Sequence, residues 1–169
     1  KHVSPDELVP MDKETVGEVV IFAPNKSTFA YYDNPKTTEE KFHNGWLYTG
    51  DLATWDEHAY ITIIGRKDDM IVSAGENIYP VQVESILNEH PKVAESLVFG
   101  IPDPKRGSVI AALIRPSDPS LTEKEMKQFC MNHPMLAPYK RPRIFRFVKE
   151  LPHNATGKLL HKLPPDFKF

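Results

Sequence analysis

Cysteine is almost missing from this chain. Cys130 stands alone, so neither an internal disulfide nor a cluster of thiolate ligands can form within it. Its place on the apolar side of an expected helix marks it as a small core residue, not a nucleophile. Long apolar runs are absent too, and no stretch approaches the roughly 18 apolar residues that a bilayer-spanning helix needs. The start, Lys1-His2-Val3-Ser4-Pro5-Asp6, has no initiator methionine and no apolar signal core. It reads as a cut into a longer polypeptide, with the cytoplasm as the expected compartment. Charge of one sign is also lacking: 21 basic residues face 23 acidic ones, a formal net of -2, which argues against a general nucleic-acid binder. The seven histidines are scattered without HExxH or an equivalent pair, so no metal site is expected, and there is no GxSxG elbow or Ser/His/Asp arrangement.

What is present is the composition of a soluble globular protein: 169 residues, 19.3 kDa, 40% hydrophobic and 26% charged. Basic residues collect at the end, where Lys140, Arg141, Arg143, Arg146, Lys149, Lys158, Lys162 and Lys168 face only Glu150 and Asp166. Such a segment is either solvated surface or an attractor for phosphorylated substrates. Residues 1–67 read as short strands and turns. Gly17–Phe22 is a strand ended by Pro24-Asn25, Asn34–Phe42 a brief helical turn, and Leu52–Trp55 with Tyr60–Ile64 the arms of a hairpin.

After Asp68 the pattern changes. Met70–Val72 is strand-like, and Pro80 opens a helix running to about Asn88 with Val83, Ile86, Leu87 and His90 at helical spacing. Ala94–Gly100 and Val109–Ile114 are apolar strands, with Pro102-Asp103-Pro104 turning between them. Thr122-Glu123-Lys124-Glu125 has capping-box spacing ahead of a helix bearing Met126, Phe129 and Cys130 on one face. Ile144–Val148 adds a last strand. Residues 68–169 therefore predict an α+β domain, a sheet with packed helices, following a β-rich segment at 1–67. The aromatics Trp46, Trp55, Tyr60, Phe99 and Phe129 are expected mostly in cores.

Several residues carry possible chemistry. Asp51, after Thr49-Gly50, could accept hydrogen bonds from vicinal ribose hydroxyls or could simply cap a turn. Arg66 could fork onto ribose or phosphate, or be an ordinary surface arginine. Asp68 and Asp69 as neighbours on an extended chain point to opposite sides, so they read as a boundary, not a metal pair. Gly75 is a turn glycine or a place where a ligand passes against bare backbone. Lys158, after Thr156-Gly157, is a terminal surface lysine or a long cationic arm that reaches phosphate or carboxylate oxygen. Its loop lacks the GxxxxGK[ST] spacing and the strand-to-helix context of a Walker A motif.

Taken together, Gly45–Asp51, Ile64–Ile71, Gly75–Glu84 and Leu151-Pro152 with Thr156-Gly157-Lys158 resemble the motifs of the adenylate-forming family. That family includes acyl-CoA synthetases, luciferases and the adenylation domains of peptide synthetases. The resemblance spans the whole chain and corresponds to the C-terminal part of such an enzyme. It implies that 1–67 end a large N-terminal adenylation domain and that 68–169 form the hinge and a mobile C-terminal domain. It implies that Asp51 binds ribose hydroxyls, that Arg66 assists at ribose or phosphate, and that Asp68 is the hinge. Lys158 would be catalytic in adenylation, and Gly75 would face the pantetheine thiol. The implied reaction is activation of a fatty or aromatic carboxylic acid with ATP to acyl-AMP, then transfer to coenzyme A, with release of AMP. Mg2+ is expected through residues outside this chain, as are the acid pocket and phosphate loop of a missing N-terminal part, in the same polypeptide or a second chain. The chain alone is expected to be inactive. Two departures stand out: His153-Asn154 replaces a frequent lysine and threonine, and Gln82 replaces a frequent glutamate. Loading of a carrier protein and a non-catalytic regulatory module are the competing expectations.

Overall fold

The computed structural model describes residues 7–22 and 30–161. The expected stop at Pro24-Asn25 and the basic residues Lys162 and Lys168 lie outside them. The chain divides into two compact units, Lys1–Asp68 and Asp69–Phe169.

In the first unit, β1 (Gly17–Phe22), β2 (Phe42–His43) and β4 (Ile61–Arg66) all pair antiparallel with a long central strand, β3 (Trp46–Trp55). A short helix, α1 (Pro35–Lys41), precedes β2. One of its free N–H groups is met by Asn34, whose Oδ1 accepts from Thr37 N at 3.1 Å, and Pro35 needs no partner for the donor it lacks. Asn44-Gly45, both with positive φ, turn β2 into β3 as two-residue hairpins require. Between β3 and β4, Asp56 Oδ1 accepts from His58 N and Tyr60 N, each at 3.0 Å, and these donors hold its carboxyl below the usual range. Tyr60 departs from the expected core set. It is 71% exposed at the tip of this hairpin.

The second unit is built on a three-stranded sheet in the order β7 (Val93–Asp103), β8 (Gly107–Pro116), β9 (Ile144–Phe147). β7 and β8 pair antiparallel, while β9 runs parallel to β8 because α3 (Glu123–Asn132) carries the chain back across the sheet. Alternation along the strands sorts side chains to two faces. Val98, Ile110, Ala112, Ile114 and Phe145 join Val83 and Leu87 of α2 (Pro80–Leu87) and Met126 and Cys130 of α3 in the larger core. Leu97, Phe99, Ala111 and Leu113 form a second core, closed by Leu151 with Leu159 packed against it. The sheet is thus covered by helices on one face and by the segment flanking residue 158 on the other. Burial pushes the Cys130 thiol up to about 11, in keeping with a packing role.

Thr122 caps α3 by accepting from Glu125 N at 3.2 Å, and Pro80 opens α2 with Tyr79 ahead of it. Two local expectations change. Pro102 does not turn the chain but stays in β7 opposite Ser108, which an edge strand tolerates because a missing N–H there breaks no ladder on its open side. The turn falls at Pro104–Arg106, where Asp103 Oδ1 accepts from Lys105 N and Arg106 N. The turn read at Gly75 is a tight hairpin that joins β5 (Ile71–Ser73), on the strand-like Met70–Val72, to a second strand not expected there, β6 (Glu76–Ile78).

Leu113 is fully buried on the central strand. Leu113→Ala is expected to cost about 3 kcal/mol in urea unfolding of this unit; a loss below about 1 kcal/mol would show that the second face is not a packed core.

Candidate functional site

Asp51 and Arg66 are brought together by the β3–β4 register, which sets them directly opposite each other. Arg66 Nη1 donates to Asp51 Oδ1 at 2.6 Å, and Nη2 donates to Thr49 O at 3.3 Å, so the guanidinium spans a carboxylate and a carbonyl. Both side chains remain 38% exposed, and among the described residues Asp51 Oδ2 accepts no hydrogen bond. The pair thus fixes one carboxylate oxygen and leaves its neighbour able to accept from a diol. Around it, Gly50 N donates to Glu18 Oε1 at 3.0 Å, and Lys67 pairs with Glu18 Oε2 at 3.1 Å. Gly50 has φ +79, and a Cβ there would lie 3.0 Å from Arg66 Nη2 and 3.0 Å from Lys41 Nζ. The glycine lets these two cations approach the strand.

Asp68 closes the first unit and Asp69 opens the second. Their backbone is not extended: Lys67–Asp69 form a single 3-10 turn, correcting the alternating geometry assumed for the two carboxylates. Asp69 is turned toward His161, 3.9 Å from its Nδ1. Gly75 forms the two-residue loop of the β5–β6 hairpin with Ala74, at φ +86 and +52, and a Cβ on Gly75 would meet nothing within 4 Å. Its backbone therefore lies open to approach, while the positive φ resists any other residue.

Lys158 sits on a turn closed by the His153↔Leu159 bridge. Asn154 organises this turn: its Oδ1 accepts from Thr156 N at 3.0 Å, Thr156 Oγ1 at 2.8 Å and Lys158 N at 2.8 Å, and its own N–H donates to Lys158 O. Leu151 and Leu159, on either side, are packed into the second core. The Lys158 side chain is exposed, and among the described residues its ammonium has no carboxylate partner. A fixed backbone with a loose cationic tip is an arm that can meet an anion without first breaking an ion pair.

Comparison with known proteins bears on both units. Residues 82–158 match the AMP-binding enzyme C-terminal domain. The 2-succinylbenzoate–CoA ligase of Bacillus cereus strain Q1 is 45% identical over 148 residues, 88% of this chain and 30% of that protein. The o-succinylbenzoate CoA synthetase of Bacillus subtilis, solved in complex with its acyl-adenylate intermediate, superposes with a TM-score of 0.81 at 38% identity, over 93% of this chain and 32% of that one. The same enzyme with ATP and magnesium ion gives 0.78 at 38% identity, over 89% and 30%. The chain contains the C-terminal domain of the AMP-binding enzyme family. It spans about a third of the length of the relatives it matches, and its α+β unit carries that domain.

The structure adds residues that sequence reasoning passed over. Glu18, Thr49 and Lys67 frame Asp51 and Arg66, and Asn154 frames Lys158. Glu84 is 7% exposed on the inner face of α2. A signal for it existed: Pro80, Val83, Glu84 and Leu87 follow the buried helical spacing, so a carboxylate stands where an apolar residue is expected.

If Asp51 and Arg66 serve a ligand and not the fold, Arg66→Ala should lower unfolding stability by no more than about 1 kcal/mol, the worth of a half-exposed pair. A loss of several kcal/mol in denaturant would make the pair a folding element.

Proposed function

We propose that this chain is the C-terminal part of an acid–CoA ligase that activates an aromatic carboxylic acid, with 2-succinylbenzoate the first to test. The carboxylate attacks the α-phosphorus of ATP, an O–P bond forms, and the bond to pyrophosphate breaks. In the second step a thiol sulfur attacks the acyl carbonyl carbon of acyl-AMP, and AMP departs with the electron pair of the broken C–O bond. Coenzyme A is the proposed thiol, and the relatives' names support both it and the acid. The cytoplasm is the proposed site of action. Among the described residues no helix is long and apolar enough to cross a membrane.

The observation that carries the reading is the Asp51–Arg66 pair, in which one carboxylate oxygen is fixed and the other left open. Asp51 accepts from the ribose hydroxyls of ATP and of acyl-AMP, with Arg66 orienting it. Lys158 brings its ammonium to the substrate carboxylate and the bridging phosphate oxygen, where charge grows as the pyrophosphate leaves. The open Gly75 backbone lies along the path of the pantetheine thiol in the second step. Asp68, the last residue of the first unit, is the hinge about which the C-terminal domain changes its presentation between steps. Residues 1–67 are read as the β-rich end of the adenylation domain, which supplies the acid pocket. Among the described residues no group of three or more His, Cys, Asp or Glu suits a metal ion, so magnesium would arrive with ATP and be held by that domain.

The test separates the half-reactions in the full-length enzyme. Lys158→Ala should lower acyl-AMP formation by about a hundredfold or more, a loss typical of removing one charge-stabilising group. Thioester formation from supplied acyl-AMP should be nearly unchanged. Equal loss in both half-reactions would remove Lys158 from its assigned step. The 169-residue chain by itself should make no acyl-CoA.

A further inference from the structure

Two histidines bracket the Lys158 turn, and each is held by a carboxylate from an element of the second unit. On the incoming side, His153 Nδ1 lies 2.8 Å from Leu151 O and Nε2 lies 2.9 Å from Glu95 Oε1 on β7. A carbonyl oxygen and a carboxylate oxygen both only accept. Satisfying the two contacts therefore needs a proton on each ring nitrogen, which only the imidazolium has. The other oxygen of Glu95 is taken by Arg115 of β8, whose Nε lies 3.3 Å away.

On the outgoing side, His161 Nε2 lies 3.0 and 3.2 Å from the two oxygens of Glu84 on α2, and its Nδ1 faces Asp69 at 3.9 Å. Glu84 is buried and also accepts from Val98 N at 2.7 Å. A carboxylate so placed is costly unless it is paired as well as hydrogen-bonded, and His161 is the cation that reaches it. Lys158 is the positive group that faces His161 from its own turn. The two pairs join the ends of one short turn to β7 and to α2, elements that share the unit's cores.

We propose that His153 and His161, as imidazolium ions, are positioning residues that clamp the Lys158 turn to the sheet and helix of its own domain, so that the pose of Lys158 depends on their protonation. The inference takes from the proposed function only the importance of Lys158; the clamp itself stands on the geometry. Its pH sense follows from the partners. The hydrogen bond to Glu84 raises the pKa of His161 against the opposing effect of burial, and Asp69 adds to the rise while Lys158 reduces it. The hydrogen bond to Glu95 raises that of His153, with Arg115 opposing. Groups raised in the folded state contribute fully below the ordinary histidine value of about 6.5 and lose that contribution as pH climbs through the higher folded value. The clamp is therefore closed on the acid side and opens toward the alkaline side.

The test is an NMR titration of the 169-residue chain from about pH 5 to about pH 9, reading the imidazole carbons and the Lys158 and Asn154 amides. Both histidines should titrate above the ordinary value, and the Lys158 amide shift should follow the same midpoints. Protection of the Asn154 amide against exchange should fall about tenfold across the transition, the scale of a charge-assisted hydrogen bond. His161→Arg keeps the charge at every pH and should abolish the His161-linked part of the Lys158 response. His161→Gln should hold the His161-linked part of the Lys158 shift at its alkaline value at every pH and leave the His153-linked part in place. Ordinary midpoints, an indifferent Lys158 amide, or either variant retaining the unmodified titration would overturn the clamp. None of these readouts uses ligase activity, so a chain that titrates as described, belonging to a full-length protein that forms no acyl-AMP, would reject the proposed function alone.

Discussion

The burial of the β7–β8–β9 sheet on both of its faces is the constraint on which the second unit depends. One face is closed by α2 and α3, a familiar two-layer solution. Among the described residues no helix covers the other; Leu97, Phe99, Ala111 and Leu113 are closed by Leu151 and Leu159 from the segment after β9. The residues that complete the core are thus the ones that flank Lys158. Packing energy fixes the base of the turn, Asn154 shapes its crown, and the ammonium stays in solvent. Precision in the backbone and freedom at the tip have one physical origin.

The first unit solves a different problem with the same economy. Strand register alone brings Asp51 and Arg66 into contact across β3 and β4, residues fifteen positions apart. Thr49 and Glu18 then hold the local backbone, with Gly50 leaving room for the guanidinium. A carboxylate that is oriented on one side and open on the other is suited to hydroxyl recognition, because the orienting bond does not use up its accepting capacity.

Much of the fold was legible from local signals, and the differences have definite causes. α2 was readable because Pro80 marks a first turn and the apolar spacing follows it; α3 because Thr122 stands three residues before Glu125. β5 and its turn at Gly75 were readable, but β6 was missed because a strand of three residues is too short to display a period. Pro102 was misplaced because a proline within a strand is permitted only at an edge, and edge position is a property of the assembled sheet. Asn44-Gly45 was overlooked although it is a strong hairpin signal. Family membership was readable because four separated stretches occurred in the right order. The surroundings of the candidate residues were not readable in the same way. Glu84 and His161 are 77 positions apart and Glu95 and His153 are 58 apart, and only the folded chain brings them together.

The most direct measurement of the central claim is carboxylate-dependent exchange of labelled pyrophosphate into ATP by the full-length protein, with no thiol present. The account predicts exchange that requires an aromatic acid such as 2-succinylbenzoate and that persists without coenzyme A. Folded, full-length protein giving no exchange with any carboxylate, or exchange that begins only when a thiol is added, would contradict it.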